Sequence, residues 1–288
     1  MRRSVYLIIL LLSFLIIGPS WAEFIQPGDV TVMTEKYKPQ INDFERGTYT
    51  YDISWEGVPV ARSKVEVKDE LLDGSGVYDV EAFCETLPAI DILYKMRHVS
   101  ESMFSTDSFK PVAFSTLDKN RSKTKARQVI FSHDGHISAK RWKNQKIEEE
   151  LSFVADNIFD PIAGTFMARS VPIVVGEEKS FDVFNGKHRF LITFKVEKRE
   201  LIEVSGRQYD TFRVVPTVKK LTDSEGEKKL KSATIWITAD ERREIVKLES
   251  SVWIGSVTAE LSGFFPADQS AIRPVVYRPE RKEEILRP

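Results

Sequence analysis

The sequence predicts an all-β fold: a large curved antiparallel sheet or half-open barrel with one short helix packed on its concave face. Three observations predict it. Apolar residues recur at every second position over most of the chain. Turn-forming pairs separate these runs at short intervals. One segment, opening at Asp160-Pro161, reads instead with helical spacing.

Size and composition bound the reading. The chain has 288 residues, with 42% hydrophobic and 30% charged, an ordinary globular mix that excludes wholesale disorder. Lys and Arg number 42 against 43 Asp and Glu, so no basic field draws the chain to nucleic acid. The single cysteine, Cys84, excludes an intramolecular disulfide framework and a cysteine-based zinc site.

The N-terminus reads as a secretory leader over residues 1–22. Arg2 and Arg3 form a basic start, Val5 to Ile17 is apolar except for Ser13, and Gly18-Pro19 breaks it. Ser20-Trp21-Ala22 then places small residues for a cut after Ala22. The apolar run is short of the roughly 20 residues of a spanning helix, which favours cleavage over a retained anchor. No cysteine directly follows it, which argues against a lipid anchor. A periplasmic location is expected, with no integral membrane segment after cleavage.

Residues 23–44 hold Pro27, Gly28 and Pro39 without a sustained period and read as an irregular leader. Residues 45–266 share one texture and read as a single β-rich domain. Residues 267–288 carry Pro274, Pro279, Pro288 and a dense mixture of charges, and read as a flexible tail.

Within the domain, Tyr49, Tyr51, Ile53 and Trp55 alternate with polar residues, as do Phe190, Ile192, Phe194 and Val196, and Val257, Ala259 and Leu261. Such period-2 patterning puts one sheet face on a core and the other in water. Val58 and Val60 share one phase and Ala61, Val65 and Val67 the other, so a bulge is expected near Val60. Cys84 falls in phase with Tyr78, Val80 and Ala82 and is expected to be a buried, inert thiol. Asn185-Gly186 is the strongest hairpin signal, read as a turn with positive φ at both central positions, and Asp134-Gly135 reads alike. Looser turns are expected at Glu56-Gly57, Asp73-Gly74, Ser205-Gly206, Asp223 to Gly226 and Gly255-Ser256.

Asp160 is a good N-cap and Pro161 suits the first helical position, so a helix is expected to about Arg169. Ile162, Phe166 and Met167 form its apolar stripe, while Ala163, Gly164 and Ala168 allow close approach. So short a helix needs packing to hold it, and the concave sheet face is the natural partner.

These residues resemble a known family. Tyr49 to Ala61, the Asp160–Arg169 segment with Pro172 and Val175-Gly176, Tyr209 to Phe212, Ile235 to Arg243 and Ala259 to Leu261 are together similar to an exported bacterial family catalogued as domain of unknown function 3108. The resemblance spans about Thr48 to Phe264. One departure is Glu244-Ile245, where that family more often has Pro-Val. The resemblance implies a β-rich exported protein and imports no catalytic residues.

Catalytic patterns are thin. The histidines of His133-Asp134-Gly135-His136 flank a turn without further ligands close in sequence, so no metal site is assigned. There is no nucleophile elbow of the Gly-x-Ser-x-Gly type and no phosphate-cradling glycine loop before a helix, so neither catalytic residues nor a cofactor are assigned. Asp156 and Asp160 do not by themselves define glycosidase chemistry. Glu148-Glu149-Glu150 and Lys228 to Lys231 read as solvated charge runs. The tryptophans Trp55, Trp142, Trp236 and Trp253 fall on expected strands, where aromatics either fill a core or line a pocket. The expected function is a non-catalytic envelope protein binding a hydrophobic or glycan-bearing component between sheet and helix, with Trp55, Phe166, Arg169 and Trp236 lining the site. The alternatives are a partner-binding scaffold with a filled core, in which an envelope protein is the partner, and a hydrolase acting on envelope polymers.

Overall fold

The structure is a computed structural model that describes residues 25–32, 34–121, 123–222, 233–252, 255–267 and 273–274. The segment read as a secretory leader, Trp253, the Lys228–Lys231 run, the expected turn at Asp223 to Gly226 and nearly all of the expected charged tail lie outside the described residues.

The strands are β1 Gly47–Trp55, β2 Val58–Leu72, β3 Ser75–Thr86, β4 Met96–Ser105, β5 Pro111–Asn120, β6 Lys123–Phe131, β7 His136–Lys143, β8 Lys146–Val154, β9 Ile158–Phe159, β10 Glu178–Phe184, β11 Arg189–Val204, β12 Arg207–Lys220, β13 Ala233–Thr238, β14 Ile245–Val252, β15 Gly255–Pro266 and β16 Arg273–Pro274. Among the described residues two α-helices interrupt them, α1 Pro88–Asp91 and α2 Pro161–Ser170. The expected helix is α2, and the single turn α1 is an addition to the one helix the sequence predicts.

All sixteen strands among the described residues belong to one sheet, ordered β8-β7-β6-β5-β4-β3-β2-β1-β15-β14-β13-β12-β11-β10-β9, with β16 beside β2. Pairing is antiparallel except for β9 with β10 and β16 with β2. This order forces curvature. Laid flat, the path from β8 to β9 would span about 65 Å at roughly 4.8 Å per strand. Yet Val154 ends β8 and Ile158 begins β9, and four residue steps reach about 14 Å at most. The sheet therefore rolls until its two ends meet.

Side chains close that seam. Phe114, Val129, Ile137, Ala139 and Phe153 from β5–β8 form one cluster with Ile158 and Phe184 from β9 and β10. The Phe153 and Phe184 rings meet edge-on at 5.2 Å.

Inside the roll sits α2. Asp160 caps it, accepting from Ile162 N at 2.8 Å and Ala163 N at 3.0 Å. Phe166 and Met167 are buried and Ile162 partly so, in one cluster with Tyr78, Phe104, Phe181 and Ile192 from the sheet. Gly164 is needed for contact: a Cβ there would lie 3.3 Å from Phe159 Cβ and 3.4 Å from Val183 Cγ2.

Residues 34–46 have little regular structure, but they are docked. Gln40 N and Ile41 N both donate to Ser170 O at the end of α2, at 2.9 and 3.1 Å. Phe44 is 1% exposed, its ring 5.1 Å from Phe166 and its N–H donating to the Tyr78 hydroxyl.

The bulge falls where the phase slip put it. Ile53 pairs with Ala61 and Ser54 with Pro59, leaving Val60 as the extra residue. The turns are corrected in type. At Asn185-Gly186 only Gly186 has positive φ (84°), and the Asn185 carboxamide accepts from Lys187 N and His188 N. Asp134-Gly135 likewise has positive φ only at Gly135, and Asp134 accepts from His136 N. In both, the side chain of the first residue secures the loop, so positive φ is needed once. The doubly positive pairs are Glu56-Gly57, Asp73-Gly74, Ser205-Gly206 and Asn144-Gln145.

Candidate functional site

An apolar pocket opens between the C-terminal half of α2 and the inner faces of β10–β14. Strand alternation builds its floor: Ile192, Phe194 and Val196 on β11, Val214, Pro216 and Val218 on β12, Ile235 and Ile237 on β13. Thr165, Ala168 and Arg169 of α2 form the wall, and Pro172, Ile173, Glu177 and Lys179 the rim. Its empty volume is about 860 Å³, open solvent at the mouth included.

The polar groups around the pocket are engaged with the protein. Arg169 Nε donates to Arg243 O at 2.6 Å and Nη2 to Arg242 O at 3.3 Å. Its guanidinium also stands over the rings of Phe44 (4.5 Å) and Phe166 (4.9 Å). Burial pushes the Arg169 pKa down, and the nearby Tyr49, Tyr51 and Glu244 oppose that shift. Arg169 thus ties α2 to the β13–β14 turn. Thr165 Oγ1 donates to Pro161 O, and Lys179 Nζ to Glu177 Oε2 at 2.6 Å.

The four residues singled out from sequence separate. Arg169 is in the pocket wall. Phe166 lies behind it, in the aromatic cluster with Phe44, Tyr78 and Phe104. Trp236 sits between Ile235 and Ile237, so alternation turns it to the opposite face, where Nε1 donates to Glu200 at 3.1 Å and Lys247 Nζ stands 5.6 Å from the ring. Trp55 ends β1 beside the Glu56-Gly57 turn and is 39% exposed. Neither tryptophan lines the pocket. The alternating residues of β11, β12 and β13 were the better signal, and aromaticity the poorer one.

Cys84 is buried, and burial pushes its thiol up to about 12. His136 flanks its turn as expected and bonds Ser152 Oγ at 2.7 Å. Among the described residues no three of His, Cys, Asp and Glu are grouped so as to hold a metal ion, and no helix is long and apolar enough to cross a membrane.

Fold and site together define a rolled β domain with an internal helix and an apolar pocket. Residues 50–262 match the family described as "Protein of unknown function (DUF3108)", and the chain belongs to that family. No curated protein matches the sequence. Among solved structures, a β-barrel-like protein of domain of unknown function DUF1849 from Brucella abortus is similar, at 11% identity and TM-score 0.50, covering 78% of this chain and 99% of its own. Weaker likenesses are a "putative lipoprotein" from Parabacteroides distasonis (10% identity, TM-score 0.37, covering 80% of this chain and 100% of its own) and a "putative exported protein" with a YmcC-like fold from Bacteroides fragilis (7%, 0.35, 80% and 100%). The Brucella likeness bears on the fold alone.

Proposed function

We propose that the protein is a non-catalytic, exported envelope protein that holds the hydrophobic part of an envelope component between α2 and the sheet. The observation that carries this reading is the pocket over β10–β14, whose floor is aliphatic and aromatic. Val174 and Val175, in the loop that follows the lining residues Pro172 and Ile173, are exposed apolar residues. The engagement of Arg169, Thr165, Glu177 and Lys179 with protein partners leaves shape and apolar contact as the means of recognition. Arg169 would shape the wall and Phe166 support it from behind. Export rests on the leader at residues 1–22.

The test is native mass spectrometry of protein purified from the cell envelope without detergent, with displacement of an aminonaphthalene fluorophore in parallel. The expected result is a co-purifying lipid-sized mass, and fluorophore binding that V196F or I237F weakens at least tenfold. Empty protein that also ignores the fluorophore would overturn the proposal. Export is tested separately: fractionated cells should yield a mature chain beginning at Glu23.

A further inference from the structure

Beyond the pocket floor the inner face of the roll turns from apolar to cationic. On β12 the next inward residue after Val218 is Lys220, and before Phe190 the chain carries Lys187 and His188. Across the seam, Arg127 of β6 pairs directly with Arg141 of β7. Lys125 lies two residues from Arg127 on the same strand face, and Thr116 of β5 stands opposite Arg127. The Asn185-Gly186 turn presses these halves together. Arg127 Nη1 donates to Asn185 O at 3.4 Å, and a Cβ on Gly186 would lie 3.4 Å from Arg127 Cβ.

The cations act on one another. Burial pushes the Lys187 ammonium down, and the charges of Arg141, Arg127 and Lys220 push it further. Burial lowers Lys125 and Arg127 as well. His188, buried beside Lys220 and Lys187, is driven down to about 2 and is neutral at any ordinary pH. Carboxylates offset part of this charge. Glu149 and Glu148 stand 2.9 and 3.2 Å from Arg141 Nη2, and Asp118 is held by His98 Nδ1 at 2.7 Å. Arg141 Nη1 and Thr116 Oγ1 are buried and make no hydrogen bond. Like charges gathered on a half-buried face repel, and a buried donor left unmade is costly.

We infer that this seam is a binding site for a phosphate group, held by Arg127, Arg141, Lys125, Lys187 and Lys220. A phosphate has oxygens facing several directions, which suits donors arriving from two opposed halves of a sheet, and guanidinium pairs bind it bidentately. The site is independent of the apolar pocket and stands even if that pocket binds nothing.

The probe is inorganic phosphate, titrated into the full mature chain against chloride at matched ionic strength. Thermal unfolding and the ³¹P line width are the readouts. Phosphate should raise Tm saturably, and the double variant K187Q/K220Q should bind at least tenfold more weakly. That variant, relieved of repulsion, should melt no lower than the parent in chloride, which separates lost binding from lost folding. No saturable response beyond chloride, or the same response in the double variant, overturns the proposal. A second arm compares glycerol phosphate with short-chain phosphatidic acid below its micelle concentration. Tenfold tighter binding of the latter assigns the phosphate to a lipid headgroup, and equal binding assigns it to a soluble ester.

Discussion

Ser102 Oγ donates to Asp160 Oδ2 at 2.7 Å, so the cap of α2 is bonded to β4 as well as to its own helix. The other oxygen of Asp160 takes the two helix N–H groups. One fully buried carboxylate therefore fixes both the start of the helix and its height inside the roll.

Asp160→Ala should be severely destabilising. Loss of a cap costs about 1–2 kcal/mol. Orphaning the buried Ser102 hydroxyl adds about 1–3 kcal/mol. Asp160→Asn retains an acceptor for the helix and should cost much less. Urea unfolding of the two variants checks the difference, and equal midpoints would contradict this role.

Stability should fall as pH rises from about 4 to about 7. Burial pushes Asp160 up to about 6, against the hydrogen bonds from Ser102, Ala163 and Ile162. Burial pushes Asp79 up to about 7, and the charges of Glu101 and Glu70 add to it. In that window the folded chain binds more protons than the unfolded chain, so raising pH favours unfolding. D79N should flatten the upper part of the profile. A profile from these groups that rises with pH would show the sign to be wrong.

Phe44→Ala should cost about 3–5 kcal/mol, the range for a buried aromatic. The ring touches Phe166 at 5.1 Å, Phe109 at 5.8 Å and the Arg169 guanidinium at 4.5 Å. Thermal unfolding is the measurement. A loss under about 1 kcal/mol would mean the 34–46 segment is not part of the cooperative unit.

Cys84 should resist thiol reagents at pH 8 in the folded state and react fully in denaturant. A thiol pushed up to about 12 by burial carries almost no thiolate there. Rapid labelling of native protein would count against the burial described.

Two glycines should separate backbone strain from contact. Gly57 has φ 79° with nothing within 4 Å of an added Cβ, so G57A should cost about 1 kcal/mol, the backbone effect alone. Gly186 has φ 84° and an added Cβ would sit 3.0 Å from Val129 Cγ2. G186A should cost clearly more and loosen the seam. Calorimetry of both decides it.

The strand phases, the Val60 bulge, the burial of Cys84 and the Asp160-capped helix were legible from sequence, because each depends on neighbours in the chain. Period-2 spacing fixes which residues share a face, and a cap followed by proline fixes a helix start. Tertiary structure alone decided what those faces meet. Whether Trp236 or Ile235 turned inward depended on how β13 registered against β12 and β14, which its sequence does not record. Phe44 looked like part of a loose leader because its partners Tyr78 and Phe166 lie 34 or more residues away. The cationic seam exists only because β8 and β9, neighbours in the chain and opposite ends of the sheet, had to meet. That closure carries Arg127, and Arg141 paired with it, to the Asn185-Gly186 turn that precedes Lys187, a meeting set by the path of the whole sheet and not by any local pattern.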